Sequence, residues 1–134
     1  MTDAHAGPTF RIGDVVVRTG LSHRTVRHYD ELGLVRPAGR SEGGFRLYTA
    51  RDVERLLLIA RMKPLGYSLD EMADLLDLVD RLEHPDDTGP LQERVAAFVA
   101  EAQDRRARLA ERLAMADEFL GRLAALPDPG TPAP

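Results

Sequence analysis

At 134 residues, 43% hydrophobic and 30% charged, the chain has the size of one ordinary domain, or of a small domain with an extension, and enough apolar content to fold. It has no cysteine, which excludes structural disulfides, thiolate metal ligands and thiol redox sensing. The net charge of −4 hides an asymmetry, because residues 1–67 carry eleven Lys and Arg against seven Asp and Glu while residues 68–134 carry seven against fifteen; a polyanion would meet the first half alone.

Residues 1–8 have neither the basic start nor the apolar core of a secretion signal, and no apolar run approaches the ~20 residues needed to cross a bilayer. A disordered start and a cytoplasmic protein without membrane contact are expected. Thr9-Phe10-Arg11-Ile12 then leads, with two apolar anchors, into a first short helix through Val15, Val16 and Val17. Gly20 separates it from a second, basic helix. Ser22 is a suitable N-cap for that helix, its hydroxyl free to accept from a backbone N–H one turn on, and Gly33 can take the left-handed conformation that ends it. At ~100° per residue Val26 and Tyr29 fall on one side while Arg24, Arg27, His28 and Glu31 gather on the other. One side packs and the other can meet phosphates, which is the pattern of a helix-turn-helix with a DNA-reading second helix.

Past Gly33, a glycine-rich turn at Gly43-Gly44 separates two short apolar or aromatic arms, a hairpin signal. Alternation in the second arm puts Phe45 and Leu47 on one face and Arg46 and Tyr48 on the other, and a loop carrying Arg40 and Arg46 beside the reading helix would be a wing. Thr49 with Asp52 is a capping-box variant opening a helix that buries Val53, Leu56, Leu57 and Ile59 or Ala60, runs to about Lys63 and is closed by Pro64 and Gly66. Ser68 with Glu71 is a full capping box for the next helix, whose Leu69, Met72, Leu75, Leu76 and Val79 recur at helical spacing. Two helices thus back the winged unit.

Residues 83–90 are polar, acidic and broken by two prolines, and read as a linker. From Leu91 to Leu126 there is no proline and a single glycine, and Ala, Leu, Arg and Glu abound, as in one long helix. Val95, Ala102, Leu109, Ala116 and Leu123 form one seven-residue series; Leu91, Phe98, Arg105, Arg112 and Phe119 form the other. A helix of ~50 Å with such a stripe points to a second copy as its partner, hence a homodimer, the alternative being that it folds back on its own head. Residues 127–134 are a proline-rich tail expected to be disordered. With eight tail residues after the long helix, a separate ligand-binding domain is not expected. His5, His23, His28 and His84 have no ligand spacing, and no nucleophile–base pair or phosphate loop is visible; neither an enzyme nor a cofactor is expected.

Ile12-Gly13-Asp14, Thr19-Gly20-Leu21-Ser22, Arg24-Thr25-Val26-Arg27-His28-Tyr29, Leu32-Gly33-Leu34, Pro37, Gly44-Phe45-Arg46-Leu47-Tyr48, Asp52-Val53 and Leu65-Gly66-Tyr67-Ser68-Leu69-Asp70-Glu71-Met72, in that order and without a gap over about residues 9–80, resemble the MerR family of bacterial transcription regulators. The resemblance implies a mostly α fold: a winged helix-turn-helix DNA-binding head over residues 9–82, with a small β-hairpin wing and two backing helices, and a coiled-coil dimerisation helix over 91–126. It implies a dimer that binds a pseudo-palindromic promoter and bends and untwists the spacer so that RNA polymerase can engage. Three positions depart from the family pattern: His28 replaces a second aromatic, Val16 a small alanine, and Pro64 precedes the Leu-Gly pair.

Arg24 and Arg27 are the first candidates for base or phosphate contact, since a guanidinium pairs bidentately with guanine or bridges phosphate oxygens. His23 and Thr25 at the first turn of the reading helix, and His28 and Tyr29 further along, are further candidates, Tyr29 by its hydroxyl alone. Arg46 resembles the family's phosphate-contacting wing arginine, and Arg40, Tyr48, Lys63 and Tyr67 complete the set, each equally able to be structural. Leu91, Val95, Phe98, Ala102, Leu109, Ala116 and Leu123 are the dimerisation candidates. The effector is open. The alternatives are a repressor without effector, or a protein-interaction module using the acidic long helix.

Overall fold

Three hydroxyl side chains set where the helices of the first half begin. In the computed structural model, which describes residues 7–84 and 89–130, the Ser22 hydroxyl accepts from the Thr25 backbone N–H at 3.0 Å and starts α2 (His23–Glu31). Thr49 and Asp52 close a reciprocal box at the start of α3 (Ala50–Met62), as do Ser68 and Glu71 at the start of α4 (Leu69–Glu83). Each box satisfies two backbone N–H groups that a helix end leaves without partners. The first helix, α1 (Ile12–Thr19), is begun differently: the Arg11 backbone N–H donates to the Asp14 carboxylate at 3.3 Å. Between α1 and α2 the Thr19 hydroxyl donates to the Val15 carbonyl at 2.8 Å and accepts from the Leu21 N–H at 3.2 Å, while Gly20 takes a φ of 76°. That buried threonine and one left-handed glycine make the turn.

The hairpin expected from the Gly43-Gly44 turn is part of a larger sheet. Thr9–Arg11 form a strand, β1, that pairs antiparallel with β3 (Arg46–Thr49), and β2 (Gly39–Arg40) pairs with the other edge of β3, giving the order β1-β3-β2. Phe10 stands opposite Tyr48, and Arg40 opposite Arg46. Directly opposed residues share a face, and Phe10 packs against the core, so the Arg46 and Tyr48 face is the inner one. Phe45, on the other face, is 55% exposed.

The core gathers Val15 and Leu21 from the helix-turn-helix, Val26 and Tyr29 from α2, Tyr48 from β3, Val53, Leu56 and Ile59 from α3, and Met72 and Leu76 from α4. The burial pattern expected of α3 is found, with Leu57 only half-buried. On α4 the expectation is corrected: Leu69, the first helical residue, is exposed, and Leu78 is buried in place of Val79, which is half-buried. Pro64 does not kink α3, which ends at Met62 and continues as a single 3-10 turn over Lys63–Leu65 closed by Gly66 at φ 82°. A missing N–H at Pro64 forbids a further α-helical bond there.

The described residues fall into two units, 7–84 and 89–130. The second is α5 (Gly89–Ala124), a 36-residue helix that begins and ends two residues earlier than Leu91–Leu126 and spans ~54 Å at 1.5 Å per residue. Of the segments read as disordered or as linker, residues 1–6, 85–88 and 131–134 lie outside the described residues.

Candidate nucleic-acid interface

Burial of Val26 and Tyr29 turns the opposite side of α2 outward, so His23, Arg24, Arg27 and His28 are all exposed. Thr25 is half-buried, its backbone N–H and hydroxyl both engaged with the Ser22 hydroxyl. Beside this side of α2 lies a hollow of about 750 Å³ lined by Arg24, Thr25, Arg27, His28, Tyr29, Glu31, Lys63 and Leu69. Six of the sequence-predicted contact residues therefore meet at one surface, Lys63 being brought there by the 3-10 turn. Tyr29 reaches the hollow from the core, and burial pushes its hydroxyl pKa up, which keeps it a neutral donor.

A second hollow, of about 440 Å³, lies where β1 passes into α1 and is lined by Arg11, Ile12, Gly13, Asp14, Arg27, Gly44, Phe45 and Arg46. Arg27 lines both. The cations on α2, on the 3-10 turn and on β3 thus belong to one continuous surface rather than to separate patches.

Arg46 is held before any ligand arrives. Its Nε donates to the Asp30 carboxylate of α2 at 2.8 Å, with both side chains mostly buried, and that bond raises the guanidinium pKa further above its ordinary value. A charged hydrogen bond between partly buried groups fixes the wing against the reading helix. Arg40 is exposed and its Nη1 donates to the Gly44 carbonyl at 3.0 Å, bracing the hairpin turn.

Two candidates do not belong to the surface. Tyr48 is fully buried, because the β1–β3 register places it opposite Phe10 and inside; burial, and then the Asp30 carboxylate, push its pKa up, and its hydroxyl has no hydrogen-bond partner among the described residues. Tyr67, just before the Ser68 cap, is buried in the same core. Arg11 was missed. It carries no helix signal and lies on no predicted face; only the strand β1 and the register of the sheet bring it beside Phe45, whose ring lies 4.7 Å from its guanidinium carbon.

Along α5 every residue from Arg106 to Ala124 is exposed, including the dimerisation candidates Leu109, Ala116 and Leu123. Leu113, Met115, Phe119 and Leu120 add to the same apolar sector. Glu101 with Arg105, Asp104 with Arg108, and Glu118 with Arg122 pair one turn apart along the helix. Among the described residues no helix is long and apolar enough to cross a membrane, and no group of three or more His, Asp or Glu could share a metal ion.

A family profile described as MerR HTH family regulatory protein matches residues 10–78, and one described as MerR, DNA binding matches residues 53–128. The mercuric resistance operon regulatory protein of Bacillus cereus is 43% identical over 74 residues, which are 55% of this chain and 56% of that protein; the chain spans little more than half of that relative's length. The HTH-type transcriptional regulator CueR of Salmonella typhi is 33% identical over 117 residues, 87% of this chain and 80% of that one. Among solved structures, HiNmlR, a regulator lacking the sensor domain and bound to promoter DNA, superposes with a TM-score of 0.65 at 28% identity over 87% of this chain and 89% of that one.

Proposed function

Because the chain belongs to the MerR family of regulatory proteins, we propose that it is a dimeric, sequence-specific DNA-binding transcription regulator. One observation carries the reading: Arg27 lines both hollows, so that Lys63, Arg24, Arg27 and Arg46 present a single cationic surface centred on the outward side of α2. Such a surface suits a helix seated in the major groove with its neighbours on the phosphates. HiNmlR was solved on promoter DNA, which supports the same role for this chain.

In this reading residues 9–82 form the DNA-binding head and α5 the dimer contact, with Leu109, Ala116 and Leu123 in its seam and the half-buried Val95, Phe98 and Ala102 continuing it; Leu91, also a dimerisation candidate from the sequence, is already buried in the single chain and offers the seam no free surface. The dimer binds a pseudo-palindromic promoter element and acts by bending and untwisting the spacer for RNA polymerase, which is readout by deformation as much as by base contact. It works in the cytoplasm and performs no catalysis.

A mobility shift with the purified protein on its own upstream region tests the proposal. Specific retention is expected, and Arg24→Ala or Arg27→Ala should change the base preference in each half-site by about 1–3 kcal/mol wherever the lost contact is bidentate. Indifference to the sequence of the duplex would refute a sequence-specific regulator.

A further inference from the structure

Three arginines line the smaller hollow from three different elements: Arg11 from the β1–α1 junction, Arg27 from α2 and Arg46 from β3. Each is placed by its own means. Asp30 takes the Nε of Arg46 and leaves the Nη groups uncommitted, while the Phe45 ring lies against Arg11. The ring has room because residue 43 is glycine, where a Cβ would stand 3.0 Å from Phe45 Cε2. Arg27 has no ion-pair partner among the described residues.

Against these three cations the lining offers one carboxylate, Asp14, and that group already accepts from the Arg11 backbone N–H. Asp30 balances Arg46 from outside the lining, so three guanidinium groups face two carboxylates and the excess positive charge favours an anion. Guanidinium forks match a tetrahedral oxyanion in geometry, each able to give two parallel N–H donors. We propose that this hollow seats one phosphate of the DNA backbone, shared among Arg11, Arg27 and Arg46, and that Arg11 is a DNA-contact residue. The inference rests on the DNA-binding reading. DNA is the favoured source of the phosphate because Arg27 also lines the groove beside α2, so a duplex lying on α2 carries its backbone across the hollow. A free phosphate ester would satisfy the same three cations.

The test uses the full chain and a duplex from its own upstream region, with affinity measured by fluorescence anisotropy across a salt series. Arg11→Ala should lose about tenfold in affinity at ~0.1 M salt and lower the slope of log affinity against log salt by about 0.9, the value for one phosphate, with the preference for the specific over a scrambled duplex unchanged. Arg11→Lys should restore the slope, which a merely structural role for Arg11 would not require. Replacing the duplex phosphates one at a time by neutral methylphosphonate should reveal a position that weakens the wild type and has no further effect on Arg11→Ala. Circular dichroism of the variant should match the wild type; if it does not, Phe45→Ala, which spares every charge but removes the ring beside Arg11, should show the same loss of sensitivity at that one position. An unchanged slope together with unchanged methylphosphonate sensitivity overturns the proposal. If the slope is unchanged while Arg11→Ala abolishes inorganic phosphate binding detected by calorimetry, the hollow serves a free phosphate and the DNA assignment is wrong. A wild type that binds no duplex at any salt refutes the regulator itself, and this inference with it.

Discussion

Residues 7–84 close on themselves: Val15, Val26, Tyr48, Leu56 and Ile59 are shielded by neighbours from five elements, and the ion pairs Arg46–Asp30 and Arg51–Asp80 join positions 16 and 29 residues apart. In α5 every residue beyond Arg105 is exposed, and the pairs Arg105–Glu101, Arg108–Asp104 and Arg122–Glu118 all lie one turn apart. The head spends its polar contacts fixing the distance between elements; the helix spends them on its own straightness. A head of this kind has a structure as one chain, whereas the apolar sector of α5 has a use only with something laid against it.

The sharpest way to break that contrast is Leu109→Asp. Leu109 is the least exposed of the large apolar residues in the second half of α5, at 38%, and a carboxylate in the dimer seam is an unpaired buried charge. Sedimentation should give a monomer whose head keeps its circular dichroism, with specific DNA affinity lost; a dimer that binds normally would put the seam on another face. Leu56→Ala acts on the opposite side of the comparison. It empties a fully buried site in α3 and should cost the head about 2–5 kcal/mol in urea unfolding, with the dimer intact by sedimentation in the absence of denaturant.

Tyr48→Phe removes the one buried side-chain hydroxyl left without a partner among the described residues and should raise the unfolding free energy by about 1 kcal/mol, seen as a higher denaturation midpoint. A fall instead would mean that the hydroxyl is engaged in solution. Smallest of all, Glu118→Gln breaks an exposed one-turn pair and should move thermal stability by less than about 0.5 kcal/mol, and less still at high salt.

The same contrast explains what could be read from the sequence. Ser22, Thr49 and Ser68 announce their helices because a cap and the N–H it satisfies lie within one turn, and Gly33, with φ 74°, ends α2 for an equally local reason. The cationic side of α2 and the single long helix follow from periodicity alone. What escaped depends on register between distant segments. β1 is three residues long and shows no alternation, and its partner lies about 40 residues away, so neither the strand nor Arg11's position could be read. Tyr48 shares a face with Arg46 as alternation requires, but alternation does not say which face is inner; the pairing of Phe10 with Tyr48 does.

That pairing also sets an order of events. Thr9 meets Thr49, and everything that reads DNA on α2 lies on the stretch of chain between them. During synthesis α1 and α2 can form as soon as their residues are made, but β1 waits with its backbone groups unpaired until residue 49 exists. Closing a loop of that length costs only about 0.6 kcal/mol more than closing one half as long, so the delay is kinetic rather than energetic. The sheet is therefore the clasp of the reading motif, and a nascent chain stalled before β3 would carry the residues of both its helices with that clasp still open.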